Sequence, residues 1–235
     1  MKRTNSILIN LLILAYLSIS CTQRNVDYRE LYGLKGNVKH VTSVSIYEPS
    51  ESSLFDLFNT VIDTKEVMTF NQQGQLIARE EYILNAKDKS FKMESHSDYM
   101  YDNELLKFQV SIDDQTKEET RLEITNYNEK GFPIRIIEVG GDIITDITYS
   151  NNGRHINTIT KNGERTTSVL SEVVDKNMNL ISRQIEFKDN LDARKLVTQT
   201  YQYTEFDNHD NWVKRTIIEK ESQIKINEER LIVYY

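Results

Sequence analysis

From residue 38 onward the chain alternates hydrophobic and polar positions with a period of two, in short runs separated by polar turn residues. Leu106, Phe108, Val110 and Ile112 fall on one side of such a run, and Lys107, Gln109 and Ser111 on the other. Helical periodicity is almost absent, there are only two prolines, and β-branched and aromatic residues dominate, including 13 Tyr and 8 Phe. This pattern predicts antiparallel strands. Gly140-Gly141 and Asn162-Gly163 sit between β runs and mark two-residue hairpins, whose central residues need positive φ. In all, about fourteen strands are expected, from 38–47 to 223–235, following one another as a meander. Hydrophobic residues make up 38% of the chain, enough to cover one face of such a sheet but not two. The expectation is therefore an all-β fold whose sheet curls around a single apolar face, as a strongly coiled sheet or a barrel-like closure. Before it, residues 27–33 are expected to form a helical turn ending at Gly33, and residues 51–59 a short helix or insert.

A second turn type recurs. An aromatic or apolar residue is followed by a polar turn, often ending in glycine, and then an apolar pair. It reads Phe70-Asn71-Gln72-Gln73-Gly74, Tyr127-Asn128-Glu129-Lys130-Gly131 and Tyr149-Ser150-Asn151-Asn152-Gly153. Weaker copies begin at Val174-Asp175 and Phe206-Asp207, and a shortened one at Tyr101-Asp102-Asn103. The repeat positions of interest are thus Gly74, Gly131, Gly153, Asp102, Asp175 and Asp207, with the three glycines expected at positive φ. The motif resembles the YD repeat of RHS-type proteins. With Leu34-Lys35-Gly36-Asn37-Val38 at its start, the stretch 34–235 more closely resembles uncharacterised bacterial envelope lipoproteins carrying degenerate YD-like repeats. That resemblance implies a β-repeat domain in the cell envelope and brings no catalytic residues with it.

The first twenty residues read differently. Lys2 and Arg3 precede an apolar run, Ile7 to Leu17, that is too short for a membrane-spanning helix and is followed by Ser18-Ile19-Ser20-Cys21. This is the layout of a signal peptide. The region resembles a bacterial lipoprotein signal, which implies cleavage before Cys21, acylation of that cysteine and, with Thr22 next to it, an outer-membrane address. The expected organisation is a signal over 1–20, a tether and short turn over 21–37, and one β-repeat domain over 38–235.

Charge and chemistry narrow the function. The formal net charge is −7, and loss of Lys2 and Arg3 makes it more negative by two, with no basic stripe to bind nucleic acid. Cys21 is the sole cysteine, so no intramolecular disulfide is available. His40, His96, His155 and His209 lie at no metal-ligand spacing, and Asp207-Asn208-His209-Asp210 lacks the glycine and distal glutamate of a calcium loop. No metal or cofactor is expected. Glu80-Glu81, Asp113-Asp114, Glu118-Glu119 and Glu228-Glu229 keep open an envelope enzyme acting on glycans through a carboxylate pair. Tyrosines gathered at strand ends, among them Tyr99, Tyr101, Tyr127, Tyr149, Tyr201 and Tyr203, either stack on sugar rings or cap the buried face.

An outer-membrane β-barrel is a further alternative, since the chain ends in Tyr234-Tyr235, but the run 117–127 places charges on both faces. The leading expectation is a non-enzymatic, lipid-anchored binding or scaffolding module for an envelope protein or glycan. In a meander the YD-like turns share one edge and the length-variable loops the other. A partner is expected at the variable edge, at Leu54, Phe55, Leu57 and Phe58 and at the loops 84–90 and 188–194, with the anchor at the edge of the regular turns.

Overall fold

The computed structural model describes residues 26–48, 63–85, 88–188 and 194–235. The alternating runs become fourteen strands: β1 (Val38–Glu48), β2 (Thr64–Phe70), β3 (Leu76–Leu84), β4 (Phe91–Asp102), β5 (Leu105–Asp113), β6 (Glu119–Tyr127), β7 (Pro133–Glu138), β8 (Ile143–Ser150), β9 (His155–Asn162), β10 (Arg165–Val174), β11 (Leu180–Lys188), β12 (Arg194–Phe206), β13 (Trp212–Glu219) and β14 (Lys225–Tyr234). Each pairs antiparallel with its sequence neighbours, and β1 pairs with β14, so the meander closes into a barrel. Closure satisfies both outer edges, which an open sheet would leave unpaired.

The repeated turns share one rim and have a common cause. The second residue of the motif turns its side chain back onto the turn backbone. Asn128 Oδ1 accepts from the amides of Lys130 and Phe132, Asp175 Oδ1 from those of Asn177 and Asn179, and Asp207 Oδ1 from those of His209 and Asn211. This Asx capping explains the Asp/Asn preference. Asp102 differs: in the shortened copy its carboxylate accepts from the Asn103 side chain, and Asn103 and Glu104 take the positive φ. Gly74, Gly131 and Gly153 have φ of 85°, 81° and 84°.

The tyrosines at the same rim act as latches. Tyr101, Tyr127, Tyr149 and Tyr203, at the ends of β4, β6, β8 and β12, donate their hydroxyls to the carbonyls of Leu76, Leu106, Pro133 and Leu180. Each acceptor is the first or second residue of the preceding strand. The ring closes a gap beside the turn while the hydroxyl satisfies a carbonyl near the strand end.

Residues 26–37 fill the barrel at this rim. Tyr28–Tyr32 forms a short 3-10 turn, N-capped by Asp27 and ended by Gly33 at φ 63°. Val26 and Tyr28 bury against Leu106, Ile124 and Phe132. Leu34 buries against Val38, Val41, Met68, Phe70 and Leu76. The tether is therefore shorter than the sequence suggests. The packed segment begins at Val26, well inside the stretch 21–37 expected to be tether and turn.

The interior departs from a purely apolar face. Apolar side chains are divided between the two faces, and Ile46, Ile77, Met100, Ile159 and Leu231 are exposed outside. Charged residues occupy part of the inside. The reason is width: about eight strands leave an interior that side chains can fill, and fourteen leave more.

Candidate functional site

The space left inside the barrel is a lumen of about 650 Å³, floored by Leu31 and Tyr32 of the N-terminal plug. Strand alternation and register decide which charges enter it. On β2, Glu66 shares a face with the buried Met68 and Phe70; its neighbour in register, Glu81 of β3, stands beside Arg79 on the same face. Arg183 of β11 is opposite Glu172 of β10, and Arg215 of β13 is opposite Glu228 of β14. These become ion pairs. Arg79 bonds Glu66 and Glu81, Arg183 bonds Glu172 at 2.7 Å, and Arg215 bonds Glu228 at 2.6 Å. Burial works against the Arg79 cation, but the two glutamates outweigh it and hold its pKa above the ordinary value.

Around the charges stand Ser43, Ser45, Gln199, Tyr47 and Tyr201. Trp212, 2% exposed, has two guanidinium groups over its ring, Arg230 at 3.5 Å and Arg215 at 4.1 Å. It is a platform for arginines, with its ring already engaged. Such a lumen suits a small polar ligand, since its walls offer both donors and acceptors around a cavity of ligand size.

Two of the sequence-adjacent carboxylate pairs are split between the faces of the barrel. Glu81 and Glu228 point into the lumen, while Glu80 and Glu229 point outward, because successive strand residues face opposite sides. His96 sits outside with Glu80 and Asp98, and His40 contacts Thr69. His209 stacks on Tyr234 in the turn 207–210, and Asp207 accepts from the Tyr234 hydroxyl. Among the described residues no three of His, Cys, Asp and Glu come together as a metal-ligating group.

Cys21 and the candidate partner residues Leu54, Phe55, Leu57 and Phe58 lie outside the described residues, as does most of 188–194. Beside the 84–90 connection, Ile83, Leu84 and Met93 line a second cavity of about 520 Å³, on the rim opposite the plug. The lumen arginines Arg79, Arg183, Arg215 and Arg230 were not singled out by the sequence. Their signal is parity: Arg230 lies two and four residues from Glu228 and Ile226, both buried on the same face of β14.

The outer face is mixed. Arg135 pairs with Asp146 at 2.6 Å, Lys107 with Glu123 at 2.8 Å and Lys214 with Glu205 at 3.0 Å, between exposed apolar side chains.

The fold defines a closed meander barrel with a plugged rim and a charged lumen. No protein-family model matches the chain, and no curated protein matches it in sequence. Among solved structures it is similar to a porin-like protein from Bacteroides uniformis, with a TM-score of 0.50 and 10% identity, over 85% of this chain and 99% of that one. A protein of unknown function from Bacteroides fragilis matches with a TM-score of 0.22 and 14% identity, over 65% of this chain and 87% of that one. The first likeness is one of fold.

Proposed function

We propose that the protein is a lipid-anchored barrel of the bacterial outer membrane that binds a polar envelope ligand, with the lumen as its binding site and without catalysing a reaction. The plug carries this reading. It floors the lumen, which makes a pocket with a closed end in place of a channel, and it starts at the rim of the regular turns. Acyl chains on Cys21 would hold that rim toward the membrane and turn the variable loops away from it. The non-enzymatic reading is supported by the lumen glutamates Glu66, Glu81, Glu172 and Glu228, each committed to an arginine. An envelope glycan is the favoured ligand because the lumen walls are rich in hydroxyl and charged groups.

The porin-like neighbour favours a second reading, a barrel that itself spans the outer membrane. Against it stands the outer face, where Arg135–Asp146 and Lys107–Glu123 would have to meet lipid. One experiment separates the two. Wild type and Cys21→Ala are labelled with a palmitate analogue and fractionated. The anchored reading expects label on wild type only, and release of any processed Cys21→Ala protein from the membrane. A Cys21→Ala barrel that stays embedded through alkaline extraction supports the spanning reading. A screen of the detergent-purified protein against envelope polysaccharides tests binding against turnover.

A further inference from the structure

Among the described residues, the ion pairs of the lumen leave the Arg230 guanidinium without a carboxylate. Arg79, Arg183 and Arg215 each have a carboxylate. Arg230 has none within ion-pair distance among the described residues: its Nε donates to Ser43 Oγ at 3.3 Å, and its Nη1 is fully buried with no hydrogen-bond partner. Its guanidinium lies over Trp212 beside that of Arg215. Burial, reinforced by the like charge of Arg215, holds its pKa below that of an ordinary arginine, to about 9, which still leaves it protonated at neutral pH. A buried cation without a carboxylate, one of its nitrogens unsatisfied, is costly to a fold, and a methionine or leucine would pack in the same volume. Guanidinium groups are suited to planar oxyanions, which they bind through two parallel hydrogen bonds.

The surroundings limit the ligand. Glu66 and Glu228 line the same lumen, so a singly charged head group is better tolerated than a dianion. Ser43, Ser45, Gln199 and Tyr201 offer hydrogen bonds to hydroxyl groups, and the volume suits a ligand the size of a mono- or disaccharide. We propose that Arg230, assisted by Ser43 and Arg215, binds the carboxylate of a small polyhydroxylated anion, an acidic sugar by class. This deepens the lumen-binding reading and rests on it. Free phosphate offers the same oxyanion chemistry and is the alternative source.

Trp212 is the chain's one tryptophan, and it touches the site. Its fluorescence therefore reports occupancy. The detergent-purified protein is titrated with glucuronate, glucose and inorganic phosphate. A saturable change with millimolar or lower glucuronate is expected, and none with glucose. Phosphate is expected to bind more weakly; tighter binding of phosphate than glucuronate would overturn the acidic-sugar assignment while keeping the anion site. Arg230→Met should lose the glucuronate response and melt no lower than wild type, because it removes an unpaired buried charge. Should that variant fail to fold, Arg230→Lys, which keeps the charge but not the fork, is expected to weaken glucuronate binding about tenfold. An unchanged response in a folded Arg230 variant, or an equal response to glucose, would overturn the anion site and leave lumen binding standing. Silence toward both anions would also overturn it, and a hit in the polysaccharide screen would then still support the broader reading.

Discussion

The side chain of Asn211 hydrogen-bonds both backbone groups of Lys35: its Oδ1 accepts from the Lys35 amide at 2.6 Å and its Nδ2 donates to the Lys35 carbonyl at 2.8 Å. Asn211 is 1% exposed and also donates to Tyr234 at 2.7 Å. It thus joins the plug, the last repeat turn and the last strand. Asn211→Leu would leave the Lys35 groups without these partners, at a cost of about 1–3 kcal/mol. Urea unfolding measures the loss. Limited trypsin digestion should show earlier cleavage at Lys35 than in wild type, because the plug is released first.

The three repeat glycines should not respond alike to substitution. Each has positive φ, which costs an L-residue about 1–2 kcal/mol. At Gly153 a Cβ would meet nothing within 4 Å, so Gly153→Ala should cost only that. At Gly74 it would lie 2.2 Å from Asp27 Oδ1, and at Gly131 2.4 Å from Val26 Cγ2, so both also displace the plug. Thermal melts should rank Gly153→Ala as the mildest of the three.

Glu228 and Glu229 are neighbours in sequence with different environments. Glu228 is 6% exposed and pairs with Arg215, whereas Glu229 is exposed and lies 3.9 Å from Lys214. Glu228→Ala strands a second arginine beside Arg230 and should cost about 3–5 kcal/mol. Glu229→Ala should change stability by less than about 0.5 kcal/mol. Equal effects in chemical denaturation would contradict the placement of Glu228 inside the barrel.

The rim tyrosines set an alkaline limit. Burial raises the Tyr28 and Tyr149 phenols to about 12, and it raises Tyr32 and Tyr101 still further. The folded state favours their neutral forms, so their contribution is whole below pH 10 and falls as the pH rises from 10 toward 12. Phenolate absorbance should show these rings ionising together with loss of circular dichroism, after the exposed tyrosines. Ionisation of every tyrosine near pH 10 in a folded protein would contradict the latches.

The strands were legible because alternation and turn chemistry agree locally: the boundaries expected from residues fall within three of those observed. The regular turns were legible for the same reason, since Asn128 or Asp175 caps a turn through bonds only a few residues long. Alternation does not decide between a coiled sheet and a barrel, because the β1–β14 pairing depends on contacts almost the whole chain apart. The plug was missed because Val26, Tyr28 and Leu34 bury against residues of β1–β7 that no local pattern names. Alternation does not reveal the lumen, because it characterises each strand face as a block. In β14, Ile226, Glu228 and Arg230 share one face, so its character changes along a single strand.

The β1–β14 seam also orders events in time. Each hairpin can form as soon as its two strands exist, but Val41 waits for Ile232 and Ser43 for Arg230, nearly two hundred residues later in synthesis. Until then the growing sheet has a bare first edge. Closing so long a loop is entropically slow and leaves an interval in which that edge can pair with another copy. A barrel whose last strand is delayed should therefore be most vulnerable to aggregation just before completion.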